Sequence, residues 1–112
     1  MDATAFVAWV ASRHDDIDPD WVADANPTLV AGDLARSLRA SIDAGDRGAV
    51  ARGFETLRTA WLDGDDRVEN TIVISCLSRV NFTDGKVPRA WARDLLPPVL
   101  RIELDNYEAQ QG

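Results

Sequence analysis

The segment from His14 to Asp20 holds the densest set of side chains that could bind a metal ion. It reads His-Asp-Asp-Ile-Asp-Pro-Asp, and carboxylates are preferred ligands of hard cations. The spacing departs from an EF-hand loop, which needs acids at alternate positions, a central glycine and a closing glutamate. Asp18-Pro19 is instead typical of a helix start, with Asp as the cap and Pro at the first helical position. We therefore interpret the segment as a solvated acidic turn and predict no metal site.

The residue types in the chain give little support for nucleophilic or acid–base catalysis. The chain has one histidine, His14, and one cysteine, Cys76, and no Ser-His-Asp or Cys-His set can be defended from their spacing. Cys76 lies in an apolar stretch, which favours a role as a small buried hydrophobe. The glycines are scattered at predicted helix ends, so none forms a phosphate-binding loop. We predict no catalytic residue, no cofactor and a protein that is not an enzyme.

The charge balance narrows the class of partner. Of the 112 residues, 19 are acidic and 12 basic, which gives a formal net charge of −7 at pH 7. Such a surface repels nucleic-acid phosphates and anionic lipid, and it favours encounter with a basic protein. A basic stripe is interrupted by Asp33, Asp43, Asp46 and Glu55, which indicates a salt-bridged surface. The arginines of that stripe are Arg36, Arg39, Arg47, Arg52 and Arg58.

Two acidic turns are the candidate contact sites for a basic partner. The first surrounds Trp21, and a tryptophan among carboxylates suits a basic ligand surface, although the favoured interpretation of Trp21 is a lid that closes the core. The second, residues 63–66, has acids that also suit the positive end of a helix. The predicted partner-binding residues are Asp15, Asp16, Asp18, Asp20, Trp21, Asp24, Asp63, Asp65 and Asp66.

Helices must position these residues, because apolar side chains recur at spacings of three and four along the chain. Breaks at Gly45-Asp46 and Gly64-Asp65 separate amphipathic runs, with each Gly closing one helix and each Asp capping the next. A turn is predicted over residues 81–87. The predicted helices cover 3–13, 19–25, a longer run from Asn26-Pro27, 46–62, 65–80, a segment from Pro88, and a last helix from Pro97 or Pro98 to about Ala109.

This pattern predicts an all-α fold, with residues 1–112 forming a single-domain bundle of about six or seven short helices. An irregular, HEAT-like stack of helical hairpins is an alternative arrangement of the same elements. The sequence shows neither a secretory signal nor an apolar run of membrane-spanning length, so we expect a cytoplasmic protein without a membrane partner. Most of the four tryptophans are expected in the core.

The run from Val68 to Val80 is apolar around much of its circumference and is predicted to be largely buried. Its remaining arc holds Thr71, Ser75 and Ser78, spaced four and three apart. Small polar residues on one stripe indicate tight packing against a neighbouring helix or, alternatively, the floor of a groove that receives a partner. Asn70 is expected to find hydrogen bonds if it is enclosed.

Residues 45–77, GDRGAVARGFETLRTAWLDGDDRVENTIVISCL, and 94–108, DLLPPVLRIELDNYE, resemble a family of small all-helical bacterial proteins of the immunity type from polymorphic toxin systems. The shared features are two Gly-Asp breaks, a V-x-N-x-I pattern and a C-terminal L-x-P helix. The positions that match are Gly64, Asp65, Val68, Asn70, Ile72 and Pro97.

The resemblance implies a cytoplasmic protein that binds a cognate toxin domain stoichiometrically and neutralises it without catalysis. Together with the charge, it leads us to expect a basic toxin domain as the partner. A helical regulatory or scaffold module of a bacterial assembly, in a homodimeric form that buries the Thr71, Ser75 and Ser78 stripe, is the alternative. The sequence leaves the oligomeric state open.

Overall fold

Helices make up most of the chain in the computed structural model, which describes residues 1–82 and 89–111. With the contiguous residues 66–80 counted as one rod, the described residues form seven helical segments and no strand, which confirms the predicted all-α bundle. The elements are α1 (Ala3–Arg13), α2 (Pro19–Ala23), α3 (Pro27–Asp43), α4 (Arg47–Asp63), α5 (Asp66–Asn70), a π-helix (Thr71–Leu77), α6 (Ser78–Val80), α7 (Ala90–Asp94) and α8 (Pro98–Gln111).

Side-chain caps start the first five helices. In each, an Asp or Asn carboxylate or amide oxygen accepts a hydrogen bond from a backbone N–H two or three residues later, which satisfies a donor that the helix leaves unpaired. The predicted starts at Asp18, Asn26, Asp46 and Asp65 are therefore confirmed. The five capping residues are Asp2, Asp18, Asn26, Asp46 and Asp65.

The end of α2 lies two residues earlier than the predicted Ala25. Ala25 adopts a left-handed conformation, with φ of 49°, and the N–H of Asn26 donates to the carbonyl of Trp21 at 3.1 Å. This is a Schellman cap, and the extended Asn26 that precedes Pro27 forces the helix to end. The prediction failed because alanine rarely takes this conformation and gives no stop signal.

The two Gly-Asp breaks work for different reasons. Gly45 has φ of 71° and closes α3 as predicted, in the left-handed position that glycine favours. Gly64 also closes α4 as predicted, but with an extended backbone, with φ of −84° and ψ of 152°. A Cβ at Gly64 would lie 2.5 Å from the carbonyl oxygen of Ala60, so this position requires glycine for lack of space.

The rod is not the continuous α-helix that its apolar pattern predicts. Between α5 and α6 the chain widens into the π-helix, where the N–H of Ser78 donates to the carbonyl of Val73, five residues earlier. Hydroxyls mark both ends: Thr71 donates to the carbonyl of Arg67 at 2.8 Å and Ser78 to that of Ile74 at 2.6 Å. Residues 71–74 are all β-branched and crowd an α-helix, which is consistent with the wider turn.

The π-helix packs against α3, which also contacts α1 and α4 and lies at the centre of the bundle. The core contains Phe6, Leu34, Phe54 and Ile72, all fully buried, and Cys76 is buried among them as predicted. Burial raises the pKa of the Cys76 thiol to about 12, so it stays protonated at neutral pH. None of the four tryptophans is fully buried, contrary to expectation, and all four lie half-buried on the edge of the core.

Arginines fasten the last two helices to the bundle. Arg89 binds both carboxylate oxygens of Asp43 at 3.0 and 2.9 Å, and Arg93 bridges α7 to Glu108 on α8. The hydrogen bond with Glu108 is the main reason that the pKa of Arg93 is raised. Most of the predicted turn at 81–87 and the predicted helix start at Pro88 lie outside the described residues. The predicted break before α8 is confirmed.

Candidate functional site

The predicted partner-binding residues fall into two separate groups. Asp15, Asp16, Asp18, Asp20, Trp21 and Asp24 lie between the end of α1 and the end of α2. Asp63, Asp65 and Asp66 lie at the junction of α4 with α5, beside the start of α1, where the N–H of Asp65 donates to the carbonyl of Met1 at 2.9 Å. The 11 residues of α1 therefore separate the groups by roughly 16 Å. The structure does not bring the two acidic turns together.

Several of these carboxylates already have partners within the chain. Asp18 and Asp65 cap helices, and the amino terminus lies 3.4 Å from a carboxylate oxygen of Asp63. Asp24 borders a surface depression that Arg67 also lines. Trp21 packs against the core edge, which supports its interpretation as a lid. Asp15, Asp16, Asp20 and Asp66 remain exposed to solvent.

A larger concave site lies elsewhere, between the rod and α8. We call it the acidic groove and define it by Trp61, Glu69, Ile74, Glu103, Asn106 and Tyr107. Its volume is about 600 Å³. That volume falls within the range of about 300 to 1,000 Å³ that is typical of ligand sites.

The groove is negatively charged, and its two carboxylates are not paired with other described side chains. Glu69 and Glu103 both line it, and among residues 1–82 and 89–111 no lysine or arginine does so. Within that part of the chain, neither glutamate forms a hydrogen bond or ion pair with another side chain. The two carboxylates are thus available to a positively charged ligand.

An aliphatic side chain is exposed beside these carboxylates. Ile74 is 48% exposed, whereas Ile72, two residues earlier in the same π-helix, is fully buried. Ile102 on α8 is 58% exposed, because Leu100 and Leu104 define the buried face of that helix. Exposed apolar residues next to charged ones are a common feature of protein-binding surfaces.

The sequence contained two signals for the groove. On α8, Glu103, Asn106, Tyr107 and Gln110 follow the spacing of one helix face, so they line the groove together. On the rod, Ile74 stands apart from the apolar half of the helix. Neither signal alone shows that the two helices face each other.

The stripe of small polar residues on the rod lies mostly inside the bundle. Thr71 and Ser75 are buried, at 8% and 7% exposure, so close packing within the chain explains them. Ser78, the third residue of the stripe, is half-buried. Asn70 is exposed, so the expectation of hydrogen bonds for an enclosed Asn70 does not apply.

Among the described residues, no group of three or more His, Cys, Asp and Glu side chains is placed to hold a metal ion. The Nε2 atom of His14 lies 3.0 Å from the hydroxyl oxygen of Thr56. Of the helices in this part of the chain, none has the length and apolar character needed to cross a membrane.

These features define an all-α domain with an acidic, partly apolar groove on its surface. The chain belongs to the family described as Domain of unknown function (DUF7674), which matches residues 6–112. The match includes most of the first 40 residues, which had no part in the resemblance to immunity proteins. No curated protein and no solved structure matches the chain.

Proposed function

We propose that this protein is a non-catalytic binding module that receives a basic, partly apolar segment of another protein in the acidic groove. The observation that supports this most directly is the exposure of Ile74 in a groove that also holds Glu69 and Glu103 and, among the described residues, no cation. An arginine or lysine side chain could pair with either carboxylate while an adjacent aliphatic side chain covers Ile74.

The charge of the whole chain supports the same class of partner. A net charge of −7 attracts basic surfaces over long range and accelerates encounter. The groove then supplies short-range contacts that a charged surface alone lacks. Its size suits a few side chains of a partner rather than a whole folded domain.

The particular form that we propose is an immunity protein that acts in the cytoplasm and neutralises a toxin domain by stoichiometric binding. This form depends on the resemblance of residues 45–77 and 94–108 to immunity-type proteins, and the acidic groove is compatible with a basic toxin surface. In this proposal the groove replaces the two acidic turns as the main contact, because the turns lie apart and several of their carboxylates are already engaged.

A peptide titration tests the location of the binding site. The probe is a short amphipathic peptide with arginine and leucine side chains. Its binding is measured by NMR at physiological salt, from the backbone amide resonances of the protein. We expect saturable shifts centred on Glu69, Ile74 and Glu103. Shifts centred on Asp15 to Asp20 instead, or shifts of equal size over the whole surface, would contradict the groove as the site.

A pair of charge-matched variants sharpens this test. The double substitution Glu69→Gln and Glu103→Gln is expected to weaken binding about tenfold, or about 1.4 kcal/mol, because it removes both groove carboxylates. The control, Asp15→Asn with Asp16→Asn, removes the same charge from an exposed turn and is expected to leave the affinity nearly unchanged. Equal weakening in both would indicate attraction by net charge alone.

The immunity role has its own test. The toxin-like protein encoded beside this gene is purified and mixed with the protein at micromolar concentration, and the complex is measured by calorimetry. A one-to-one complex that the groove variant forms about tenfold more weakly supports the role. The absence of a complex removes the immunity role, and a homodimer that buries the groove would favour the scaffold module.

A further inference from the structure

A second concave site lies between α1 and α4 and has the opposite charge. We call it the basic hollow and define it by Trp9, Arg13, His14, Arg52, Thr56 and Thr59. Its volume is about 360 Å³. The only acidic residue among the described side chains that line it is Glu55, which lies 3.5 Å from Arg58.

Hydrogen bonds fix the base of the basic hollow. The indole N–H of Trp9 donates to the carbonyl of Thr56 at 2.9 Å, and the Thr56 hydroxyl donates to the carbonyl of Arg52 at 3.0 Å. The Thr56 oxygen must then accept from His14, whose Nε2 lies 3.0 Å away. The Nε2–H tautomer of His14 follows from this chain of donors, and its Nδ1 is left to take up a proton.

Two guanidinium groups supply the positive charge. The Arg13 guanidinium stacks over the Trp9 ring, 4.3 Å from its centre, which holds this side chain at the hollow. Within residues 1–82 and 89–111, neither Arg13 nor Arg52 has a carboxylate at ion-pair distance. Two such cations make this concave surface locally positive in a chain whose net charge is −7.

Burial and several nearby charges determine the pKa of His14. Partial burial lowers its pKa, Arg52 lowers it further, and the nearby Asp16 and Asp15 act in the opposite direction. The net effect is a pKa below the ordinary value of 6.5, so the ring is neutral at pH 7. An anion bound in the hollow would stabilise the protonated ring and raise this pKa.

We propose that the basic hollow binds the phosphate group of a small soluble ligand. Arg13 and Arg52 provide N–H donors with the geometry that phosphate oxygens favour, and Thr59 adds a hydroxyl. The bound dianion favours a proton at Nδ1 of His14, so the pKa of this ring is higher in the bound state than in the free protein. This site is independent of the acidic groove and of the role proposed for it.

The single histidine makes the test direct, because its ring resonance comes from one residue. Inorganic phosphate is titrated at constant ionic strength, with chloride as the compensating ion, while the His14 ring signal is followed by NMR. We expect a saturable shift and a higher His14 pKa in saturating phosphate. A shift that does not saturate, or one that chloride reproduces, overturns the proposal.

Two variants of equal charge locate the site. Arg52→Gln is expected to weaken phosphate binding at least tenfold, whereas Arg101→Gln on α8 is expected to leave it unchanged. Both arginines are solvent-exposed, so both variants should keep the far-ultraviolet circular dichroism of the parent. Equal affinity in the two variants would show that phosphate binds elsewhere.

The source of the phosphate group is distinguished by a separate titration. Vesicles of phosphatidylglycerol and phosphatidylcholine are offered in place of inorganic phosphate, and no binding is expected because the acidic protein surface repels anionic lipid. Vesicle binding that Arg52→Gln abolishes would overturn the assignment to a soluble ligand and indicate a lipid headgroup.

Discussion

The basic hollow and the acidic groove lie on the same small bundle but differ in how their side chains are held. In the hollow, Trp9, His14 and Thr56 are joined by hydrogen bonds, and Arg13 is stacked on an aromatic ring. In the groove, Glu69 and Glu103 have no such partner among the described residues. The hollow therefore has more of its side chains held by contacts within the chain than the groove has.

This difference matters for the kind of ligand that each surface can select. A preorganised site loses little side-chain freedom on binding and can recognise a small group through a few fixed donors. A groove with free side chains loses more of that freedom, and needs a larger contact area to compensate. A small anion therefore suits the hollow, and a protein segment suits the groove.

The largest expected effect is on the free energy of unfolding, and it distinguishes a side chain in the core from one in the groove above it. Ile72→Ala should lower the free energy of unfolding by about 2 to 5 kcal/mol because it leaves a cavity in the core. Ile74→Ala, on the same π-helix, should change it by about 0.5 kcal/mol or less because the side chain is half exposed. Urea denaturation of both variants measures the difference.

If Ile74→Ala proves as destabilising as Ile72→Ala, Ile74 belongs to the core and the groove loses its apolar contact. The peptide titration then provides the complementary measurement, since only Ile74→Ala is expected to weaken peptide binding while the fold persists.

A smaller effect tests the rigidity of the basic hollow. Thr56→Val keeps the shape of the side chain but removes the hydroxyl that joins His14 to the backbone of Arg52. We expect a loss of about 1 to 3 kcal/mol, because a partly buried donor is left without its acceptor. Thr59→Val, in the same hollow, should change the stability by about 0.5 kcal/mol or less. Indistinguishable unfolding midpoints for these two variants would mean that the hollow is not held by this hydroxyl.

The smallest expected effect is a pH dependence of folding stability that arises from His14 in the hollow. The pKa of His14 is lower in the folded chain than its ordinary value of 6.5, so the unfolded chain binds the extra proton first. The folded state therefore has its full stability above pH 6.5 and loses part of it as the pH falls through the lowered pKa.

The measurement compares urea midpoints of the parent chain and His14→Gln between about pH 8 and pH 5. Carboxylates titrate in both proteins, so their difference isolates the histidine. We expect the parent to lose more stability than the variant toward low pH. A difference that stays constant over this range would show that His14 titrates alike in both states.

The sequence predicted the parts of the fold that depend on local chemistry. Helix starts at Asp18, Asn26, Asp46 and Asp65 were recognisable because a capping side chain acts within three residues of itself. The end at Gly45 was recognisable for a similar reason. Gly64 looks the same in sequence, yet its glycine is required by the approach of Val68 and Ala60, which only the folded chain reveals.

The candidate sites were harder to predict because they form between distant segments. Arg13 and Arg52 join one hollow only when α1 packs on α4, and in sequence Arg52 belonged to a stripe whose interleaved acids indicated a salt-bridged surface. The π-helix could not be predicted from the sequence, because a few apolar residues fit an α-helical and a π-helical period equally well. The acidic turns attracted attention because their charge is concentrated locally, although much of it serves the helices themselves.

The half-buried tryptophans give the two surfaces separate optical signals. Trp9 borders the basic hollow and Trp61 borders the acidic groove, while Trp21 and Trp91 lie on the core edge outside both. Replacing Trp21 and Trp91 with phenylalanine would leave one fluorophore at each surface, and removing either of the two remaining indoles would assign the emission. Quenching or a spectral shift could then report occupancy of each surface without any attached label.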